Sequence, residues 1–430
     1  MPGNVVVAQS GGPSPVINSS LKGVLDGCRA FPSDFGKVYA AWHGIEGVLK
    51  EELLDLSAQP QREIELLATT PAAGAIGTCR YKLRDPRSPD FARIIEVLRA
   101  HEVGFFFYIG GNDSMDTAWK ISRTAESMGL DLVATGVPKT IDNDVGDPAF
   151  KLVDHTPGYG SVARYWACAI QNSNEENAGS CPADPVLVLQ VMGRKAGYVA
   201  AAARLGDPER RMPMQIYMPE AGLTIGALTD RVNDELNRSG RCLVVLNESF
   251  EVGDIGARRD SFGHVEFSAS EITAAQAVIN HLNRAGLRAR GAARADVSGT
   301  DQRHAAVYAS VVDLEEAGRV GRHAAEIARR AGNGWMATIL RKPGDRYEAV
   351  YDQVPLEAVA NSERTFPAHW LAPSRTDVTD DFVRYAQPLI GEEWARIPLE
   401  NGLQRFARLR PVFAEQTCEP YVPEAYGTAR

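Results

Sequence analysis

Three short apolar runs in this chain are each followed by a glycine-bearing turn and then by a helical pattern. The turns are SGGP at 10–13, GGNDS at 110–114 and MGR at 192–194. Short buried strands that alternate with helices are typical of parallel sheets covered on both faces. Because ligands bind beyond the carboxyl ends of such strands, we expect the three turns to face one cleft.

The pattern predicts an α/β fold of two Rossmann-like lobes, with mainly parallel sheets and an active site in the cleft between them. We expect a first lobe at residues 1–155 together with about 303–345, and a second lobe at 156–302. The tail at 346–430 is richer in Pro and aromatic residues and has weaker periodicity. We expect it to be a C-terminal extension that packs on both lobes.

The charge of the chain excludes several classes of partner. Lys and Arg number 46 against 55 Asp and Glu, which gives a formal net charge of −9. Such a chain is a poor general partner for nucleic acid or an anionic membrane, so an anionic substrate needs a local cationic pocket. No stretch approaches the roughly 18 apolar residues of a membrane span, and no signal peptide is recognisable, so we expect a cytoplasmic protein.

The first two glycine turns have two interpretations each. Glycines before a helix let backbone N–H groups approach a phosphate, but the turn at 10–13 is equally compatible with a plain tight connection. Asn112 and Asp113 in the second turn could lie beside a phosphate-bound Mg²⁺, which prefers oxygen ligands. An acidic residue at that position could also simply cap the helix.

The segment PKTIDND at 138–144 follows an apolar run and combines a lysine with three acidic or amide side chains. It could be a surface turn rich in Asp and Asn. It could also be a phosphoryl-transfer centre, in which a carboxylate takes a proton from an attacking hydroxyl and a lysine stabilises the transferring group.

Together with RADVSGTDQR at 294–303, these motifs resemble, in order and approximate spacing, those of the 6-phosphofructokinase family. FGHV at 262–265 and PLIG at 388–391 are similar to the pyrophosphate-using branch. The resemblance implies a phosphotransferase that reversibly moves a phosphoryl group, with Mg²⁺ as cofactor, from pyrophosphate to the C1 hydroxyl of fructose 6-phosphate. The alternatives are an ATP-dependent phosphofructokinase and a non-catalytic phosphosugar-binding regulatory subunit.

Two positions favour pyrophosphate as the donor. Asp113 and Lys139 stand where ATP-using members of the family have glycines. The Asp113 side chain would occupy the space of a nucleotide α-phosphate, and its charge would repel that phosphate. Lys139 would instead offset the charge on the phosphate that is transferred or leaves.

The resemblance also assigns roles residue by residue. It implies that Asp142 is the general base, and that Lys139, Asp113 and Arg194 act with it. The implied donor-binding residues are Gly12, Arg80 and Gly111, and the implied metal ligands are Asn112 and Asp144. The implied sugar-phosphate residues are Thr140, Ile141, Asp142, Met192, Gly193, Arg194, Glu248, Arg294 and Arg303.

Some questions stay open at this level. Many members of the family have an aspartate where Asn112 stands, so Asn112, Asp113 or Asp144 could hold the ion. Sedoheptulose 7-phosphate presents similar hydroxyls to the site and is a possible second acceptor. Relatives complete the sugar site across a subunit boundary, which predicts a homodimer or a homotetramer.

Overall fold

The computed structural model describes residues 2–256, 258–259 and 265–427, so Phe262, Gly263 and His264 of the FGHV stretch lie outside the described residues. The strands are β1 (Gly3–Gln9), β2 (Phe35–Ala41), β3 (Leu53–Asp55), β4 (Val103–Gly110), β5 (Val133–Pro138), β6 (Val186–Val191), β7 (Met214–Tyr217), β8 (Cys242–Asn247), β9 (Arg258–Arg259), β10 (Val265–Glu266), β11 (Ala293–Val297), β12 (Trp335–Arg341), β13 (Ala349–Pro355), β14 (Leu399–Glu400) and β15 (Leu403–Gln404). The α-helices are α1 (Ile17–Ala30), α2 (Ile45–Leu49), α3 (Gln61–Leu66), α4 (Pro89–Ala100), α5 (Asn112–Ser127), α6 (Tyr159–Ser180), α7 (Tyr198–Ala201), α8 (Ile225–Ser239), α9 (Ala274–Ala285), α10 (Val311–Arg330), α11 (Leu356–Val359), α12 (Asp380–Ile390) and α13 (Glu424–Gly427).

Two sheets form the frame of the molecule. The larger has seven strands in the order β13-β12-β5-β4-β1-β2-β3, and its five inner strands run parallel. The outer strands β3 and β13 pair antiparallel with their neighbours. The smaller sheet has four strands in the order β11-β6-β8-β7, all parallel. These sheets confirm the predicted α/β class with mainly parallel sheets in two lobes.

Alternating residues on single strands explain why both sheets are covered on both faces. On β1, Val6 belongs to one hydrophobic core while Val5 and Val7 belong to the core on the other side. On β6, Val188 and Leu189 likewise fall in different cores. A strand buried on both faces has a nearly continuous apolar sequence, as at 5–8 and at 186–191, where Gln190 is the one polar residue.

The chain after residue 345 contacts both lobes. Phe366 and Trp370 lie in the core beneath the smaller sheet, and Ala407 lies in a core of the larger sheet. We keep the division into two lobes and an extension as a proposal, with β13 extending the first lobe's later segment to Pro355. Within the described ranges, none of the helices has the length and apolar character needed to span a membrane.

Candidate active site

The carboxyl ends of the parallel strands from both sheets meet at one cleft of about 370 Å³. The turns after β1, β4 and β5 supply one wall, and the turns after β6 and β8 supply the opposite wall. The predicted site residues that line it are Gly12, Arg80, Gly111, Asn112, Asp113, Lys139, Thr140, Ile141, Asp142, Asp144, Met192, Arg194, Glu248 and Arg303. The cleft therefore brings together predicted residues from seven separate stretches of the chain.

Lys139 is the buried cation of this cleft. It follows β5 directly, is 3 % exposed, and its Nζ donates hydrogen bonds to the carbonyl oxygens of Ser10 (2.9 Å) and Gly12 (2.6 Å). Burial, together with the positive charges of Arg80 and Arg194, lowers the pKa of Lys139 to about 7. An anion in the cleft would restore the charged form, because a nearby negative charge favours the protonated amine.

Gly12 lies between two guanidinium groups. A β-carbon at this residue would lie 3.1 Å from Nη1 of Arg303 and 3.4 Å from Nη2 of Arg80. The loop that carries Arg80 is fixed to the glycine turn, because Gly11 N donates to Cys79 O at 3.0 Å. A residue without a side chain at position 12 thus keeps a small space open between cations.

Arg303 carries an unsatisfied donor. Its Nε is buried and, among the residues that the structure describes, has no hydrogen-bond partner. Burial, and then the charge of Arg80, lower the pKa of this guanidinium. Buried donors without partners are rare in proteins, so Arg303 is suited to receive an anionic ligand.

Asp142 and Glu248 form the acidic side of the cleft. Oδ2 of Asp142 lies 3.6 Å from Nε of Arg194, while Oε1 of Glu248 accepts the backbone N–H of Arg194 at 3.1 Å. Burial raises the pKa of Glu248 to about 7. The arrangement places the Asp142 carboxylate, a group that can accept a proton, beside Arg194, a group that can hold a phosphate.

The residues that follow β4 present side-chain oxygen atoms to the cleft. Asp113 lies in the first turn of α5 and forms an ion pair with Lys82 at 3.6 Å. The side-chain amide of Asn112 donates to the carbonyl of Ser362, which leaves the amide oxygen to accept. Asp144 also lines this part of the cleft, and burial and the charge of Asp142 raise its pKa to about 7.

Two predicted site residues lie outside the cleft of the single chain. Arg294 is on the edge strand β11, where its side chain is 68 % exposed and pairs with Asp184 at 2.6 Å. Gly193 does not line the cleft, but its φ of 129° turns the chain between Met192 and Arg194. This left-handed conformation, which favours glycine, sets the direction of the MGR turn.

Sequence reasoning missed the contribution of the C-terminal extension. Asn361 and Glu363 line the same wall as Asn112 and Asp144. Asn361 donates to Oδ1 of Asp116 at 3.0 Å, which ties this segment to α5. No sequence motif marks these residues. The Pro and aromatic content of the tail was the one signal that it packs against the two lobes.

Comparisons with known proteins show what the whole chain is similar to. Residues 4–328 match the family described as Phosphofructokinase. A protein of Halomonas elongata named pyrophosphate–fructose 6-phosphate 1-phosphotransferase is 38 % identical over 98 % of both chains. Crystal structures of proteins titled pyrophosphate-dependent phosphofructokinase are similarly close: one from Marinobacter aquaeolei superposes with a TM-score of 0.85 at 36 % identity, covering 98 % of this chain and all of that one. One from Nitrosospira multiformis gives 0.86 at 34 % identity, with the same coverage.

Proposed function

Since the chain belongs to the phosphofructokinase family, we propose that it is a pyrophosphate-dependent 6-phosphofructokinase. It transfers a phosphoryl group from pyrophosphate to the C1 hydroxyl of fructose 6-phosphate and releases phosphate and fructose 1,6-bisphosphate. The reaction is reversible: in the other direction, phosphate accepts the phosphoryl group from fructose 1,6-bisphosphate. Relatives at 35–38 % identity that are named pyrophosphate–fructose 6-phosphate 1-phosphotransferase support the proposal.

The observation that carries the choice of donor is the pair Asp113 and Lys139 in one cleft. Lys139 contacts the turn of Gly12, where a small anion would meet backbone N–H groups. Asp113 lies further along the same wall, with its charge facing the path of a longer phosphate chain. Pyrophosphate fits such a pocket, and a nucleoside triphosphate would have to pass Asp113.

Asp142 is proposed as the general base. Its carboxylate takes the proton of the C1 hydroxyl as that oxygen attacks the nearer phosphorus of pyrophosphate, and the bridging P–O bond breaks to release phosphate. Lys139 and Arg194 stabilise the negative charge on the transferring group and on the leaving phosphate. Such a base typically contributes about 10²–10⁴-fold to the rate.

The oxygen donors of the cleft suit Mg²⁺. Within the described part of the chain, no three His, Cys, Asp or Glu side chains are close enough together to hold a metal on their own. Mg²⁺ is commonly bound by one or two carboxylates together with substrate phosphates, so Asp144, Asn112 and Asp113 are adequate ligands. When bound, the ion neutralises charge on the phosphates of the donor.

The sugar phosphate is proposed to bind on the other side of the cleft. Arg303, with its buried and unsatisfied Nε, would hold the 6-phosphate, and Glu248 would accept hydrogen bonds from the sugar hydroxyls. Thr140, Ile141 and Met192 would line the sugar. Arg294 lies outside this cleft, so its role in binding the 6-phosphate requires a second copy of the chain. We therefore propose a homodimer or a homotetramer.

A side-by-side assay tests the function. Formation of fructose 1,6-bisphosphate is measured with Mg-pyrophosphate and with Mg-ATP at equal concentrations of fructose 6-phosphate. We expect turnover with pyrophosphate and little with ATP. Turnover with ATP alone would overturn the proposal, and no turnover with either donor from the purified chain would favour a regulatory subunit.

A further inference from the structure

Arg364 is a fully buried cation behind the turn that carries Asp142. Its side chain is 1 % exposed, and its backbone N–H donates to Asp144 O at 2.7 Å. The guanidinium donates to the carbonyl oxygens of Asn143 (2.9 Å), Val153 (2.6 Å) and Asp154 (3.2 Å). It therefore joins two stretches of chain, the turn at 140–144 and the segment just before α6.

The carbonyl and amide oxygens that accept hydrogen bonds from this guanidinium are neutral. Besides the three carbonyls it donates to the side-chain oxygen of Asn143 at 3.0 Å, and its Cζ lies 4.1 Å from the ring centre of Phe150. Burying a guanidinium is costly unless all its donors are satisfied. Substitutions that shorten the side chain would leave the carbonyl oxygens of Asn143 and Val153 without this donor, which is the costly outcome.

The turn that Arg364 holds is conformationally demanding. Asn143 has a φ of 56°, a left-handed conformation that few residues other than Gly and Asn adopt readily. Its side-chain oxygen also accepts the N–H of Thr156 at 3.1 Å, and its Nδ2 donates to the hydroxyl of Tyr385 at 3.0 Å. Asp142 precedes Asn143 directly, so the direction of the Asp142 carboxylate depends on these bonds.

We propose that Arg364, although supplied by the C-terminal extension, is a positioning residue for phosphoryl transfer. It does not line the cleft; it fixes the turn at 140–144 so that Asp142 lies within reach of the acceptor hydroxyl. The assignment of Asp142 as the base rests on the proposed function. A displacement of about 1 Å at a reacting group can cost on the order of 10²-fold in rate, so this constraint is felt in kcat.

The test compares Arg364→Lys with Arg204→Lys. Arg204 is a matched control because it is also buried, at 2 % exposed, but is held by Asp207 and Asp377, each at 2.8 Å, and does not line the cleft. We expect Arg364→Lys to lower kcat by about 10–100-fold with both KM values within about threefold, measured well below its Tm. Arg204→Lys should lower Tm but leave kcat within about threefold of the parent.

A milder variant and a second readout keep the test decisive if Arg364→Lys does not fold. Tyr385→Phe removes the hydroxyl that accepts from Asn143 and donates to Asp154 O, and we expect it to lower kcat in the same sense. Backbone hydrogen exchange without substrate should be faster over 140–146 in the Arg364 and Tyr385 variants and unchanged there in Arg204→Lys.

The outcomes separate the two levels of the proposal. If the parent enzyme does not use pyrophosphate, the proposed function fails, whereas the exchange measurement still reports whether Arg364 fixes the turn. If the parent is active and the folded Arg364 and Tyr385 variants keep kcat within about threefold of Arg204→Lys, the positioning role is wrong. Unchanged exchange over 140–146 would overturn it as well.

Discussion

The Nζ atom of Lys139 lies 2.6 Å from the carbonyl oxygen of Gly12, so the residue after β5 is hydrogen-bonded to the turn after β1. A lysine held in this way is in place before a donor arrives. Asp113 lines the same cleft, and we propose that its carboxylate obstructs the path of a phosphate chain longer than pyrophosphate. The proposed choice of donor depends on Lys139 and Asp113.

The charge state of Lys139 predicts a pH dependence. Its pKa is lowered to about 7, so the ammonium form is lost as the pH rises through that value. Since kcat/KM reports the free enzyme, kcat/KM for pyrophosphate should fall above pH 7, by about tenfold per pH unit.

Two variants test the assignment of this decline to Lys139. Lys139→Met should have low activity and should lack the decline at basic pH, called here the basic limb. Lys342→Met, at an exposed lysine, is the control and should keep the parent profile. The same basic limb in Lys139→Met would assign it to another group.

Removal of the proposed base should affect the chemical step. Asp142→Asn keeps the shape of the side chain but cannot accept the proton of the hydroxyl, so kcat should fall by about 10²–10⁴-fold. KM for fructose 6-phosphate should change little. The substitution Asp345→Asn, at an exposed site, provides the control for loss of one carboxylate. Nearly full turnover in Asp142→Asn would show that the proton goes elsewhere.

A buried histidine predicts how stability depends on pH. His155 lies between Asp154 at 2.8 Å and Glu316 at 2.7 Å, with Arg341 and Tyr347 bonded to those carboxylates in turn. Burial alone would lower the pKa of His155, but Glu316 and Asp154 raise it from 6.5 to about 9.

Because the folded pKa is the higher one, this stabilisation is complete below pH 6.5 and is lost as the pH rises through about 9. The corresponding loss in the free energy of unfolding is about 3 kcal/mol. Urea unfolding of the parent and of His155→Gln across this range measures it. The variant should be less stable at low pH, and its free energy of unfolding should lack the decrease that His155 causes as the pH rises. Parallel curves for the two proteins would rule out His155 as its source.

The end of the chain contacts the loop that carries Arg80. The hydroxyl of Tyr81 donates to Asp90 at 2.5 Å and accepts the N–H of Ala425 at 3.2 Å, while Tyr421 donates to the same carboxylate at 2.7 Å. Truncation of the protein after Cys418 should therefore raise KM for pyrophosphate several-fold, because the loop that carries Arg80 is then less firmly held. KM for fructose 6-phosphate is the internal control; an equal rise in both would indicate general loosening of the fold.

The meeting of the motifs at one cleft could be predicted because their signals are local. Gly12, Asp113 and Lys139 each follow a short apolar run, and the carboxyl ends of parallel strands must meet at one edge of a sheet. Nothing local marks Ser362, whose carbonyl accepts from Asn112 although the two residues are 250 positions apart. Contacts of this kind depend on how the extension packs over the finished lobes, and an irregular tail has no periodicity that reveals its course.

The limits of the sequence are equally visible at Arg294 and Arg364. The first belongs to a recognisable motif, yet it lies on the edge strand β11, away from the cleft of its own chain. The second belongs to no motif, yet it is buried against the turn of Asp142. A motif identifies the chemistry of a side chain. The position of that side chain in the fold depends on which strand lies at the edge of a sheet and on how distant segments pack.

The most direct test of the donor argument is the ratio of kcat/KM for pyrophosphate to kcat/KM for ATP, measured in the parent and in the double variant Asp113→Gly, Lys139→Gly. We expect a ratio far above one in the parent and a much lower ratio in the double variant, because the double variant loses its use of pyrophosphate. A double variant that keeps the parent's ratio would show that these two side chains do not select the donor.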